Sequence, residues 1–192
     1  MIRPLYDWTM ARATAPYALP FLALIAFIES SVFPIPPDVL LIPMVLAARD
    51  KAWLYAGVAT AASVLGGLFG YGIGYYLFEA VGQPVLNIYG YADKFFVFQD
   101  WYQEQGAWIV FGAGLTPFPY KVVTIASGVV HLDLATFTGA SVLSRGLRFF
   151  LVAALLWQFG PPIRTFIEKN MGWLTVVFFL LLVGGFLALK WI

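Results

Sequence analysis

The stretch Phe27-Ile-Glu-Ser-Ser-Val-Phe-Pro-Ile-Pro-Pro-Asp38 sets two carboxylates and three prolines inside an apolar run suited to a membrane interior. A plain spanning helix would carry neither Glu29 nor Asp38, because an ionised group near the bilayer centre costs at least roughly 2.5–3.5 kcal/mol. Pro36 and Pro37 push the residues before them out of the α region, so a helix reaching about Val32 must break and resume afterwards. Broken backbone at membrane depth survives only where protein or a water-filled cavity surrounds it. The stretch therefore predicts a discontinuous helix or a re-entrant hairpin, broken at Pro34, Pro36 and Pro37.

The rest of the chain supports a membrane setting. Of its 192 residues 61% are hydrophobic and only 11% charged, against about 25% charged in soluble domains. The length suits a single membrane domain over 1–192, with no second, soluble unit. A net charge of +1 without a basic run gives nucleic acid no footing. The absence of Cys excludes disulfides and thiolate metal sites, and the lone His131 cannot build an imidazole site, so no metal and no cofactor are expected. Met1–Tyr17 carries Arg3, Asp7 and Arg12 among Leu5, Trp8 and Met10; it reads as an amphipathic helix at the interface or a plain tail, and not as a cleaved signal.

Working outward, Tyr17–Ala48 is the broken segment, Arg49-Asp-Lys51 a polar turn, and Ala52–Phe78 a span, so that 17–78 forms a first unit. Gly66, Gly70 and Gly74 recur every fourth residue, which places them on one helical face and suits close helix packing. Residues 79–106 form the one long polar stretch, rich in aromatics, and read as an interfacial linker. The second unit, 107–159, contains another apolar run, broken at Pro117 and Pro119, and a span that carries Arg145 and Arg148. Pro161-Pro162 is expected to close that helix, and 173–192 to form a final transmembrane helix.

The two units match each other in order. Setting Pro34-Ile-Pro-Pro-Asp38 on Pro117-Phe-Pro-Tyr-Lys121 aligns two prolines, Ile42 with Ile125, and Asp50 with Asp133; Ser63-Val-Leu65 then meets Ser141-Val-Leu143. Two such units fit the inverted-repeat architecture in which discontinuous segments meet near the bilayer midplane. On this alignment Gly67 and Gly70 stand opposite Arg145 and Arg148, so small residues of one half are expected to make room for the arginines of the other. Glu29 and Asp38 are expected to compensate those charges. The fold class is all-α and integral to the membrane: two broken hairpins, each followed by a transmembrane helix, with an N-terminal amphipathic helix and a C-terminal span.

These residues resemble the DedA family, whose shared region is the VTT or SNARE-associated domain, and most closely its small YqaA-like subgroup. The resemblance rests on Glu29-x4-Pro34-x-Pro36-x-Asp38, Gly66-Gly-x-x-Gly-Tyr-x-x-Gly74, Thr116-Pro-Phe-Pro-Tyr-Lys121 with Ala126-Ser-Gly128, and Ser144-Arg-Gly-x-Arg-Phe149, across about Phe21–Phe159. It implies two oppositely oriented re-entrant hairpins in a bacterial inner membrane. It also implies movement of lipid between leaflets, undecaprenyl phosphate or another phospholipid, with coupling to protons. Better-known members carry arginines flanking the second hairpin's proline, where this chain has Gly114-Leu115 and Lys121. Lys offers a point charge in place of a bidentate fork.

Glu29 and Asp38 are thus candidates for a proton or charge relay, and Lys121, Arg145 and Arg148 for holding a lipid phosphate. The competing reading of the arginines is that they snorkel to the interface and set topology. A proton-coupled transporter of a small ion or solute would use the same architecture. An intramembrane lipid-modifying enzyme is the third alternative, for which a nucleophile with its base or a metal cluster is lacking. The expected partners are membrane lipids and, in a homo-oligomer, further copies of the chain. Lys and Arg are spread too evenly along the sequence to orient it, although Arg3 and Arg12 favour a cytoplasmic N-terminus.

Overall fold

A computed structural model of the chain describes residues 17–32, 36–82, 84, 86, 92–116 and 118–188, with backbone alone for 92–94, 161 and 163–188. The N-terminal amphipathic segment and the prolines Pro34 and Pro117 lie outside the described residues. Among the described residues every regular element is helical: α1 Ala18–Ser31, α2 Asp38–Ala47, α3 Ala52–Leu77, α4 Ala92–Leu115, α5 Tyr120–Val129 and α6 Leu134–Ala188. A 3-10 turn at Arg49–Lys51 leads into α3, and a π turn at Phe78–Gly82 ends it.

Among the described residues two stretches are long and apolar enough to cross a membrane, Arg49–Gly82 and Leu134–Gly160. Of the four helices beside the breaks, α4 is long, with 24 residues, and the other three are short. With 14 residues in α1 and 10 each in α2 and α5, they reach about 21 and 15 Å at 1.5 Å per residue, short of a hydrocarbon core of about 30 Å. Pro36 and Pro37 lie between α1 and α2, with Pro37 as the α2 N-cap; Pro119 is the N-cap of α5. The missing N–H of a proline costs least at such positions, where no helical acceptor precedes it. Pro43 stays within α2 and withholds the N–H that the Val39 carbonyl would otherwise receive.

The two halves exchange arms. The first arm of each half packs on its own span, α1 on α3 and α4 on α6, while the second arm packs on the span of the other half, α5 on α3 and α2 on α6. The glycine face of α3 makes this close approach feasible. A Cβ at Gly66 would overlap the Phe27 carbonyl of α1, one at Gly70 the Thr124 hydroxyl of α5, and one at Gly74 the Ile125 carbonyl of α5. From the other side, Gly128 of α5 rests on the Tyr71 carbonyl. Without a hydrophobic driving force between helices in lipid, such backbone proximity is what supplies contact energy. The equivalent crossing in the second half sets Gly114 of α4 against the Ser144 side chain of α6.

Three expectations need correction. Gly67 and Gly70 do not make room for the arginines; they seat Tyr120, Thr124 and Phe137 instead, because α5 crosses α3 there. Pro161-Pro162 does not close a helix, since α6 runs unbroken from Leu134 to Ala188. Two missing N–H groups free only the carbonyls of Trp157 and Gln158, both on exposed residues. Finally, no break separates the polar stretch from the second half at 106, because α4 is continuous from Ala92 to Leu115. Its polar part is tied to the end of α5: Gln99 and Gln103 donate to the Val130 carbonyl at 2.9 and 3.1 Å, and the buried Tyr102 shares a hydrogen bond with Ser127.

Candidate functional site

The break in the first half brings Glu29, on the last turn of α1, and Asp38, the first residue of α2, to the middle of the molecule. Arg145 and Arg148, three residues apart on α6, share one helical face and meet them one to one. Arg145 Nη2 lies 2.6 Å from Glu29 Oε2, and Arg148 Nη2 lies 2.7 Å from Asp38 Oδ2. Both links join the first half to the second.

The two pairs differ in access. Arg145 is fully buried and the Glu29 side chain 13% exposed, whereas Arg148 and Asp38 are each 21% exposed. Around Arg145 the polar groups close a ring. Its Nε donates to Ser63 Oγ at 2.6 Å, Ser63 and Ser30 share a hydrogen bond of 2.7 Å, and Ser30 lies 3.1 Å from Glu29 Oε2. Because Ser63 accepts from arginine, its single proton is free for Ser30, and the Ser30 proton is then directed to Glu29 or to the Ala26 carbonyl at 3.1 Å. The Tyr120 and Phe149 rings hold the guanidinium at 4.9 and 4.8 Å from their centroids. Tyr120 in turn donates to Ser141. This first pair is a largely buried, hydrogen-bonded link between the halves, with Arg145 Nη1 buried and without a hydrogen-bond partner among the described residues; taking either partner away would leave a buried, unpaired charge.

The second pair faces a cavity of about 800 Å³ lined by Pro36, Asp38, Val39 and Ile42 from the first half, Leu115 from the end of α4, and Leu147, Arg148, Leu151 and Val152 from α6. Apart from the ion pair the walls are apolar. Arg148 also reaches toward the Thr116 carbonyl at 3.4 Å with its other terminal nitrogen. An arginine fork held by one carboxylate and one carbonyl can exchange either acceptor for an incoming phosphate oxygen.

Of the three cations read as phosphate ligands, only Arg148 lines this cavity. Arg145 is enclosed by protein. Lys121, at the start of α5, is partly buried and donates to the Val32 carbonyl at 3.1 Å, bridging the broken tips of the two halves. Thr124 reinforces the bridge by reaching the Ser30 carbonyl at 3.0 Å. Both Arg145 and Arg148 are engaged by carboxylates of the first half. Reasoning from charge alone missed Ser30, Ser63, Tyr120 and Thr124. The sequence match of Ser63-Val-Leu65 with Ser141-Val-Leu143 was the available signal: both serines accept a hydrogen bond from a group of the second half.

The VTT domain matches residues 35–158 of the chain, a range that holds α2 through Arg148 and both spans but begins after Glu29. The chain belongs to the DedA family. The match is to the VTT domain as a whole and does not distinguish subgroups. An uncharacterized protein of Haemophilus influenzae is 38% identical over 177 residues, covering 90% of this chain and 91% of its own length. An uncharacterized protein of Histophilus somni is 39% identical over 177 residues, covering 90% and 92%. No solved structure matches the chain. Family, composition and the two apolar helices together make this an integral membrane protein.

Proposed function

We propose that this DedA protein moves a phosphate-bearing lipid, undecaprenyl phosphate or another phospholipid, between the leaflets of a bacterial inner membrane. The observation that carries the reading is a half-buried Arg148–Asp38 pair set in an otherwise apolar cavity. Apolar walls suit acyl or prenyl chains, while the guanidinium suits the headgroup phosphate. Placing a phosphate beside Arg148 also places it beside Asp38, and two anions on one cation repel. Protonation of Asp38 removes the repulsion and releases the guanidinium fork; loss of that proton returns Arg148 to Asp38 and expels the phosphate. This exchange is the proton coupling we propose. Glu29 and Arg145 stay paired throughout and hold the halves together.

In the bilayer, α1 with α2 and α4 with α5 are two re-entrant hairpins of opposite direction. The exchange of second arms between the spans, and the short lengths of α1, α2 and α5, support this inverted-repeat reading. The test is headgroup exposure in proteoliposomes carrying the purified protein, with a pH-dye flux assay in parallel. Faster lipid exposure than in protein-free vesicles is expected. Proton or solute flux without lipid movement would transfer the site to the small-solute alternative.

A further inference from the structure

The fold gathers Arg49 and Lys51 at one end and most of the exposed carboxylates at the other. One end is formed by the Arg49–Lys51 turn, where Gly160 of α6 packs against Arg49 and where α2 finishes. Phe27 lies against Gly66 and the Ser30 carbonyl near Gly70, so α1 runs in the same direction as α3 and starts at this end too. The opposite end is fixed by His131, whose ring stacks on Tyr75 at 4.4 Å, and by the Tyr71 hydroxyl donating to the Leu132 carbonyl. Here stand the exposed carboxylates Glu79, Asp100, Glu104 and Asp133, and the one basic residue on an element at this end is Lys94, on the first turn of α4, against Arg49 and Lys51 at the other. Trp53 and Trp157, 46% and 44% exposed with ring centroids 6.1 Å apart, mark the membrane interface at the Arg49 end.

The two second-arm contacts are also unequal. Against α3, α5 is sealed by Gly70, Gly74 and Gly128, each too close to its neighbour to admit a Cβ. Against α6, α2 leaves the cavity open, and Val39, Ile42, Leu151 and Val152 extend it from the ion pair toward the Arg49 end.

We infer that the Arg49–Lys51 turn is cytoplasmic and that the cavity opens to the cytoplasmic leaflet, taking an anionic phospholipid from that side, while the equivalent contact toward the outer leaflet is closed. Orientation follows from the Lys and Arg bias. The occupant follows from the Arg148 guanidinium within apolar walls and rests on the lipid-transport reading; the orientation and the side of opening do not.

The chain contains no Cys, so single cysteines can be introduced without background. Asp50→Cys and Glu104→Cys report the two ends, Ile42→Cys and Leu151→Cys the cavity, and Thr124→Cys the sealed contact. A membrane-impermeant maleimide is applied to right-side-out and to inverted vesicles. The expected result is labelling of Asp50→Cys and both cavity cysteines from the cytoplasmic side alone, of Glu104→Cys from the outer side alone, and of Thr124→Cys from neither. Reversal of the Asp50 and Glu104 pattern overturns the orientation. Cavity cysteines labelled from the outer side, or unlabelled from both sides while Asp50→Cys reacts, overturn the cytoplasmic opening. Measured on the labelled cavity variants, lipid movement tests the occupant separately: loss of transport supports it, and unchanged transport removes it while leaving the accessibility result standing.

Discussion

Replacing Arg145 with Met would test whether the sealed pair holds the halves together. Met fills similar volume between the Tyr120 and Phe149 rings but leaves the Glu29 carboxylate 13% exposed with Ser30 as its remaining side-chain partner. Removing one partner of a buried pair costs about 3–5 kcal/mol, because the other charge stays buried and unpaired. Within that figure, the charge-assisted bond from Nε to Ser63 accounts for about 1.5–3 kcal/mol. Adding Glu29→Gln to the Met variant removes the stranded charge, and the new side-chain amide keeps a donor and an acceptor for Ser30. The double variant should therefore recover about 2 kcal/mol or more of the loss. Equilibrium unfolding in mixed detergent, followed by tryptophan fluorescence, measures all four corners of the cycle. A single-variant loss below about 1 kcal/mol, the range of solvent-exposed pairs, or a double variant no more stable than the Met single, would refute the reasoning.

Other expectations follow from the same geometry. Gly66→Ala should cost about 1–3 kcal/mol by thermal unfolding, since its methyl group meets the Phe27 backbone and has nowhere to move. Gly57→Ala and Gly72→Ala, with open space around the new carbon, should instead gain about 0.5–1 kcal/mol from helix propensity. Asp133 lies in the turn before α6, where the Thr136 N–H and hydroxyl, at 2.7 and 2.8 Å, hold its pKa below the ordinary carboxylate value. Its contribution is therefore present above the unfolded-state pKa of about 3.9 and is lost as pH falls through the lower folded-state value. A pH series of unfolding midpoints should show a shallower acid limb for Asp133→Ala. For transport, Asp38→Asn should make lipid movement insensitive to an imposed proton gradient, measured in proteoliposomes with and without a protonophore.

The sequence made the break itself legible, because Glu29, Asp38, Pro36 and Pro37 contradict a plain membrane helix on elementary grounds. It also exposed the glycine face of α3, whose period needs no tertiary information. Charge balance suggested that the carboxylates would meet the arginines. It could not decide which acid meets which arginine, since Glu29 and Asp38 lie on separate helices whose angle depends on the break. Nor could it separate a sealed pair from an accessible one: Arg145 and Arg148 have the same chemistry, and only the packing of Tyr120 and Phe149 over one of them makes the difference. The serines and Thr124 were hidden by their own ordinariness, as hydroxyls in membrane helices commonly bond back to their own backbone, and Ser144 does so here at 2.7 Å from the Ala140 carbonyl. Lys121 matched Asp38 in the repeat, yet it caps the tip of α1 through Val32 and does not join Arg148.

The most direct test of the central claim compares two cargoes in proteoliposomes, a fluorescent phospholipid and a diacylglycerol with the same chains but no phosphate, using wild type, Arg148→Lys and Arg148→Gln. Phospholipid movement should be fastest in wild type, reduced in Arg148→Lys, where a point charge replaces the fork, and abolished in Arg148→Gln. Diacylglycerol movement should be the same in all three. Undiminished phospholipid movement in Arg148→Gln would contradict the account, because no guanidinium would then be needed to carry the phosphate through the cavity.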